Sequence, residues 1–283
     1  IRPVKVINDP FRQNANSNAF LVLCDTWILD KDKTSGGEMK YIPHPDNTRE
    51  NAVKTFSQPV VMSEEPWFGL EQEFFFMKGV TPLGMQKAKL TKKTPKEQGD
   101  YYCGVGPQNV FGRNIAEHVL NNVLSTDIWC TGMNFEVAPG QCEFQIFGVG
   151  IDAADSLLLF RYILQRTAEI YETKVEFHPK PLDGDWNGSG CHTNYSTTST
   201  RMENGINTIK SYIALLKKKH KEHIKVYGDG NKLRLTGKHE TASWEKFSHG
   251  VADRGASIRV PTKTFCEKSG YIEDRRPASN CDP

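Results

Sequence analysis

Residues 67–77 read Trp-Phe-Gly-Leu-Glu-Gln-Glu-Phe-Phe-Phe-Met, a run in which acidic and apolar side chains alternate. A strand places every second side chain on the same face. Glu71 and Glu73 would therefore share one face with Phe75 and Met77, and the opposite face would be largely aromatic. The run predicts a strand that presents two carboxylates side by side. A surface strand with two solvated Glu is the simpler alternative for this run taken alone.

Helices and strands follow one another irregularly around this run. Apolar residues at helical spacing predict helices over residues 111–124, 153–172 and 207–220. Strand-like stretches lie at 20–23, 26–29, 133–138, 142–147, 174–178 and 191–196. Residues 30–51 are predicted to be an exposed hairpin tip or a loop, residues 79–98 a loop, and residues 52–62 a short helix or a linker. Because no βαβ rhythm appears, an α+β fold is favoured over a doubly wound sheet.

Composition excludes some classes of function. The 36 basic and 34 acidic residues nearly balance, whereas a general nucleic-acid binder would show a basic excess. No apolar run reaches the length of a membrane span. The seven cysteines include no CxxC pair, which favours free thiols in a reducing compartment. The chain opens on Ile1 without a Met and stops at Pro283, so we expect a fragment that lacks both ends of a longer protein.

A second carboxylate pair, Glu136 and Glu143, flanks a predicted turn at 138–140. Two strands joined there would bring the carboxylates together on one face. Burying them is costly unless a cation neutralises them, and hard divalent cations prefer such oxygen ligands. Two solvated Glu are again the alternative, although the surrounding aromatic and aliphatic residues disfavour it.

Two glycine-rich segments and an arginine cluster complete the candidates. Residues 184–195, GDWNGSGCHTNY, lead into a strand predicted to begin near His192. His192 is either a metal ligand or, as is more common for a lone His, a structural residue. Residues 228–240 are typical of a mobile loop that closes over a site, or of a plain exposed loop. His220 and His223 are interpreted as a polar helix end. A cluster of charged residues lies near the C-terminal end: Arg254, Arg259, Glu273, Arg275 and Arg276. This composition indicates either guanidinium groups that bind carboxylate and phosphate at two points, or a salt-bridge network.

Seven motifs together resemble those of glutamine synthetases of the eukaryotic type, and the resemblance covers the chain from about residue 1 to its end. They are WFGLEQE (67–73), YYCGVG (101–106), EVAPGQCEFQ (136–145), GDWNGSGCHTNYS (184–196), RLTGKHE (234–240), ADRGASIR (252–259) and YIEDRRPASNCDP (271–283). The resemblance implies ATP-dependent ligation of ammonia to the γ-carboxylate of L-glutamate through γ-glutamyl phosphate. The products would be L-glutamine, ADP and phosphate.

The resemblance also implies a fold and partners. A partial β-grasp domain over 1–62 would precede a catalytic domain over 63–283, which carries a curved antiparallel sheet, or half-barrel, flanked by helices. The cofactors would be Mg²⁺ or Mn²⁺, two or more ions per site, with ATP as cosubstrate. The protein would be a cytoplasmic homo-oligomer of two stacked pentameric rings, an organellar form being left open, with no nucleic-acid or membrane partner. No function is assigned to the loops at 30–51 and 87–96.

By the same resemblance, one metal site consists of Glu73, Glu136 and Glu143, and a second of Glu71, His192 and Glu273. The implied catalytic residues are Glu240, on a flap that shields the intermediate and helps take a proton from ammonium, and Arg254 and Arg259, which neutralise the phosphoryl group. The implied ATP-binding residues are Glu143, Gly148, Asn194, Tyr195, Ser196, Arg254, Arg259, Tyr271 and Glu273. The implied glutamate-binding residues are Trp186, Asn187, Gly188, Arg234, Arg254 and Arg275.

Two rivals to this interpretation are a ligase that joins glutamate to a larger amine and a non-catalytic relative that keeps the fold. The eukaryotic-type motifs argue against the first. The second should have lost metal ligands or phosphate-side arginines, and those positions are all present here.

Overall fold

A computed structural model describes residues 1–13, 18–30, 40–85 and 95–283. Its strands are β1 Arg2–Asn8, β2 Phe20–Asp25, β3 Trp27–Leu29, β4 Tyr41–Pro43, β5 Trp67–Lys78, β6 Thr81–Pro82, β7 Trp129–Phe135, β8 Gln141–Val149, β9 Lys174–Glu176, β10 Cys191–Ser196, β11 His249–Val251, β12 Ile258–Val260 and β13 Ile272–Asp274. Its helices are α1 Arg49–Phe56, α2 Pro59–Ser63, α3 Arg113–Leu124, α4 Asp152–Glu169, α5 Thr198–Arg201, α6 Ile206–Lys218, α7 His220–Val226 and α8 Thr262–Glu267.

One large sheet organises the molecule, and the strand at 67–78 lies near its middle. The strand order is β11-β12-β13-β10-β5-β8-β7, and β6 and β9 also pair with β5. All of these pairings are antiparallel except that of β11 with β12, which is parallel. The sheet is therefore mixed, and the expectation of a purely antiparallel sheet is wrong at that edge.

The back of the sheet carries the main apolar core. Phe74, Phe76 and Phe144 are fully buried there against helices α3 and α4. The alternation read from residues 67–77 is confirmed, because Phe75 and Met77 belong to a separate cluster on the other face. Helix α3 begins two residues later than predicted, since Gly112 has a φ of 95°, which a helix cannot continue.

Two small sheets, β1–β2 and β3–β4, precede the large one. The β1–β2 sheet is tied to helix α4 directly by the ion pair of Lys5 with Asp152. It is also tied through Arg49 of helix α1, which lies 2.8 Å from Asp155 of α4 and 3.8 Å from Asp25 of β2. Strands β3 and β4 pair antiparallel on either side of residues 31–39, which lie outside the described part, and this pairing supports the hairpin alternative for residues 30–51. Residues 86–94 of the loop predicted over 79–98 lie outside the described part too.

Other predictions meet mixed outcomes. The helical alternative at 52–62 is confirmed by α1 and α2, and the predicted helix over 207–220 ends at Lys218, with α7 starting at His220. His220 and His223 do not form an exposed polar end, because their Nδ1 atoms lie 3.2 Å from the buried guanidinium of Arg276. In the described residues no helix combines the length and apolar character needed to cross a membrane. All seven cysteines are free thiols.

Candidate metal-dependent active site

Strand register brings the predicted ligands onto the front of the sheet. His192 of β10 lies directly opposite Glu71 of β5, and Glu143 of β8 lies directly opposite Glu73. Residues paired in this way on neighbouring strands have their side chains on the same face. Glu136 joins them from the turn between β7 and β8, where its backbone N–H donates to the carbonyl of Gln141 at 2.9 Å. That confirms the turn predicted at 138–140.

These side chains form two separate triads. The first contains Glu73, Glu136 and Glu143, and the second Glu71, His192 and Glu273. Within each triad, one potential ligand atom from every residue lies within 4.8 Å of those of the other two. The structure thus groups the six side chains as the resemblance divided them.

The first triad concentrates negative charge in a buried place. Burial raises the pKa of Glu73 to about 7 and, together with the charge of Glu73, raises the pKa of Glu136 to about 8. The pKa of Glu143 rises to about 10 for the same two reasons. None of the ion pairs found among the described residues involves these three carboxylates. Without a cation, burial therefore favours the protonated carboxyl over the carboxylate, most strongly at Glu143, and a divalent cation would displace such protons.

The second triad has a neutral imidazole at its centre. Burial, reinforced by the nearby Arg275, lowers the pKa of His192 well below its usual 6.5. Its Nδ1 lies 3.4 Å from Glu71 and 3.5 Å from Glu273, so one ring nitrogen of a neutral imidazole faces two carboxylates. Neutral imidazole and carboxylate oxygens are suitable ligands for Mn²⁺ and for Mg²⁺. Both triads fit divalent cations by this chemistry.

Arginines reach the second triad from the neighbouring strands. Glu273 is fully buried; it accepts a hydrogen bond from Arg275 at 2.6 Å and forms an ion pair with Arg259, which lies directly opposite it on β12. Arg259 is about a quarter exposed, so its guanidinium is accessible from the cavity. An arginine at this position can bind an anionic group that lies beside the candidate metal ligands.

A polar cavity of about 280 Å³ joins these groups. Its wall contains Glu71, Glu73, Tyr102, Asn134, Glu136, Val137, Glu143, Asn187, Gly188, His192, Arg234, His239, Glu240, Thr241, Arg254, Arg259 and Arg275. All three predicted catalytic residues and most of the predicted glutamate-binding residues thus meet in one place. Carboxylates and guanidinium groups face each other across it, the arrangement that suits a phosphorylated acidic substrate.

Residues 236–243, which we call the flap, cover one side of this cavity. Thr236 and Ser243 form a bridge at its base. At its tip the Glu240 carboxylate lies 2.9 Å from Nε of Arg254, and the Glu240 carbonyl accepts a hydrogen bond from Arg275 at 3.1 Å. The glycine-rich loop predicted over 228–240 is therefore a short 3₁₀ turn at Asn231–Leu233 followed by most of the flap.

The residues predicted to bind ATP are divided. Asn194, Tyr195, Ser196 and Tyr271 line a neighbouring cavity of about 240 Å³, together with Trp67 and Phe147. Glu143, Arg254 and Arg259 line the main cavity instead. Gly148 lines neither, because it packs against the backbone of Ala153, where a Cβ would come within 2.5 Å. That close approach is enough to explain why residue 148 is a glycine.

Two predicted glutamate-binding residues also lie apart. Trp186 is buried against Phe75 and Met77 and borders a third cavity of about 220 Å³ under the flap. Arg234 lines both cavities, but its Nη2 donates to three successive backbone carbonyls, those of residues 275–277. Burial lowers its pKa to about 10. Much of its hydrogen-bonding capacity thus supports the segment that carries Glu273.

Tyr102 and His239 line the main cavity, although residue-by-residue reasoning assigned them no role. The ring of Tyr102 lies 5.7 Å from the guanidinium of Arg254, and burial raises the pKa of its hydroxyl. The quoted motifs YYCGVG and RLTGKHE contained both residues. Nothing in their spacing, however, indicated that they would face the metal triads.

Known proteins match this chain along its whole length. A family model described as "Glutamine synthetase, catalytic domain" matches residues 46–283. A "Glutamine synthetase cytosolic isozyme" of Daucus carota is 50% identical, over 100% of this chain and 76% of the relative. A "Putative glutamine synthetase" of Acanthamoeba polyphaga mimivirus is 46% identical, over 99% and 74% of the two chains. "Glutamine synthetase N-1" of Phaseolus vulgaris is 49% identical, over 99% and 75%.

Proposed function

This chain belongs to the glutamine synthetase family, whose members join ammonia to L-glutamate at the expense of ATP, and we propose that the 280 Å³ cavity is its catalytic site. The observation that carries the assignment is the presence of two triads of candidate metal ligands at one cavity that also holds arginines: five of the six side chains line its wall, and the sixth, Glu273, is buried. Glu73, Glu136 and Glu143 would hold one divalent cation, and Glu71, His192 and Glu273 a second. The choice between Mg²⁺ and Mn²⁺ stays open.

The reaction has two steps, which set the work of the side chains. An oxygen of the glutamate γ-carboxylate attacks the terminal phosphorus of ATP and ADP leaves, giving γ-glutamyl phosphate. Ammonia then attacks the acyl carbon, and inorganic phosphate leaves. Divalent cations at the triads would supply the positive charge that lets a carboxylate approach a polyphosphate.

Arginine side chains supply the remaining positive charge. We assign Arg254 and Arg259 to the phosphoryl group in transfer, since both line the cavity and stay partly accessible there. Phosphoryl transfer depends mainly on positioning and charge neutralisation, which fixed guanidinium groups provide without reorganisation. Asn187, Gly188 and Arg275 would hold glutamate from the opposite side of the metal triads.

The neighbouring 240 Å³ cavity is the proposed place of the adenosine part of ATP. Trp67, Phe147 and Tyr195 give it aromatic walls, and Asn194 and Ser196 add polar groups. Asn194 links the two cavities, because its side-chain amide donates to Glu71 at 2.7 Å. A nucleotide could therefore extend from this cavity to the second metal triad.

Glu240 is the proposed proton acceptor for ammonium. Its carboxylate reaches the cavity from the flap, where it is half exposed and paired with Arg254. Water would hydrolyse an acyl phosphate, so a flap that covers the site has a chemical purpose.

Four broader assignments belong to the same proposal. Residues 1–62 are assigned to part of a β-grasp domain, and 63–283 to a catalytic domain with a half-barrel sheet. The protein is assigned to homo-oligomers of two stacked five-membered rings. A cytoplasmic location is supported by relatives named as cytosolic isozymes.

The test is a glutamine-formation assay on purified protein with ATP, glutamate and ammonium, with and without a chelator. Activity should require Mg²⁺ or Mn²⁺, and His192→Ala should reduce it by more than about tenfold, because it removes a metal ligand. His44→Ala is the control, since His44 is a partly exposed surface residue. Full activity in chelator, or in His192→Ala, would contradict the assignment.

A further inference from the structure

One side-chain contact connects the flap to the loop at residues 184–188. Nε2 of His239 lies 2.6 Å from Oδ1 of Asp185, which makes it a short, charge-assisted contact when the imidazole is protonated. His239 directly precedes Glu240, and Asp185 comes two residues before Asn187. The pair therefore joins the proposed proton acceptor to the proposed glutamate-binding loop.

The flap backbone at this point is held in an unfavourable conformation. His239 and Glu240 have φ values of 52° and 59°, two successive left-handed residues that are not glycine. Such residues persist only where surrounding contacts hold them in place. Here the contacts flank the strained pair: Asp185 holds the His239 side chain, whereas Arg254 and Arg275 hold Glu240.

The imidazole of His239 also stands between two cavities. It lines the 280 Å³ cavity with the metal triads and the 220 Å³ cavity under the flap, and Gly188, Arg234 and Thr241 are the other residues common to both walls. The smaller cavity is bordered by Asp185 and Lys180. Moving the imidazole would thus open the reaction site toward the smaller cavity.

The Asp185 side of the contact is itself anchored. The backbone N–H of Asp185 donates to Glu97 at 3.2 Å, and the Gln98 side chain donates to Asn187 at 2.5 Å. The ammonium group of Lys180 donates to the carbonyl of Gly184 at 3.1 Å. The loop therefore offers the flap a fixed point.

We propose that His239 is a positioning residue that latches the flap to this loop through Asp185 and so excludes water from γ-glutamyl phosphate. The proposal rests on the proposed function. When the latch opens, water attacks the acyl carbon and phosphate leaves, which returns glutamate and inorganic phosphate. One ATP is then consumed without formation of glutamine. The latch determines how the intermediate is partitioned between ammonia and water.

The experiment compares His239→Asn, Asp185→Ala and the double variant with the wild-type protein. Asn adopts positive φ readily, so His239→Asn removes the imidazole and spares the backbone. Glutamate-dependent phosphate release is measured without ammonium, and phosphate per glutamine is measured with it. Each single variant should raise both about twofold to fivefold, the upper part of the range expected for one partly exposed charged contact. His44→Asn, at a surface His 3.6 Å from Asp46, should change neither.

The double variant separates a latch from two independent effects. If the two residues act through one contact, the double variant should release no more phosphate per glutamine than either single variant. Additive effects, an unchanged ratio, or a rise confined to the KM for glutamate would overturn the proposal. Asp185→Ala tests the latch from the other side should His239→Asn fail to fold, because it removes the acceptor and leaves the flap sequence unchanged. A wild-type protein that forms no glutamine would instead contradict the proposed function.

Discussion

Replacing Glu143 by Gln should make the metal-free protein more stable, although it removes a proposed metal ligand. Burial and neighbouring carboxylates raise the pKa of Glu143 from 4.5 to about 10. A raised carboxyl pKa contributes stability below pH 4.5, and that stability is lost as the pH rises toward 10, because the unfolded chain ionises and the folded chain does not. Between pH 4.5 and about pH 7.5 the loss amounts to roughly 4 kcal/mol at 1.36 kcal/mol per pH unit.

Gln does not ionise in either state, so Glu143→Gln avoids this loss. Its carbonyl can still accept the hydrogen bond that Gln145 donates to Glu143. Allowing for coupling among the three carboxylates, we expect a gain of about 2–4 kcal/mol near pH 7.5. The melting temperature should rise by roughly 5–10 °C for a chain of this size.

Thermal unfolding in chelator at about pH 7.5 and pH 5, and with added Mn²⁺, measures these effects. The gain should fall to about 1 kcal/mol or less at pH 5, because pH 5 lies only half a pH unit above the unfolded pKa of 4.5. Mn²⁺ should stabilise the wild type much more than the variant, since the ion displaces protons from an intact triad. Glu117→Gln, on the exposed face of helix α3, is the control. A variant less stable than the wild type in chelator at pH 7.5, or equally stabilised by Mn²⁺, would refute the reasoning.

Two further replacements address the transferred groups. Glu240→Ala should leave ATP binding intact, as measured by titration calorimetry. It should lower glutamine formation by more than about a hundredfold, because the proton acceptor and its contact with Arg254 are lost. Unchanged turnover would exclude the flap role. Arg259→Ala should slow formation of γ-glutamyl phosphate in rapid-quench experiments by about a hundredfold or more while changing the apparent glutamate affinity little; a loss of affinity alone would remove Arg259 from the phosphoryl step.

The alternation at residues 67–77 predicted which faces of β5 would be apolar and acidic, because a strand's period of two is a local property. The turn between β7 and β8 was also predictable, since residues 138–140 contain Pro and Gly and lie between two apolar stretches. The side-by-side placement of Glu136 and Glu143 followed from that turn. Local chemistry thus reached as far as individual carboxylate pairs.

Residue-level reasoning could not predict which strands distant in sequence would pair in the sheet. Glu71 meets His192 only because β5 pairs with β10, and Glu273 joins them only because β13 pairs with β10. Family resemblance supplied the six-residue grouping, since no local period encodes contacts between distant segments. The contacts of His220 and His223 with Arg276 were not predictable for the same reason, since Arg276 lies 56 and 53 residues further along the chain.

The register of β5 determines whether the two triads exist, since a slip of one residue would turn both glutamates to the apolar back of the sheet. Gln72 provides a contact that opposes such a slip. It is fully buried on the back face, where its amide donates to the carbonyls of Glu73 and Ser279 at 2.8 and 2.9 Å and accepts from Arg161 at 2.8 Å. A slip would leave these buried polar groups unpaired, each at a cost of about 1–3 kcal/mol. The satisfied amide behind the sheet therefore helps to keep the carboxylates facing the cavity in front of it.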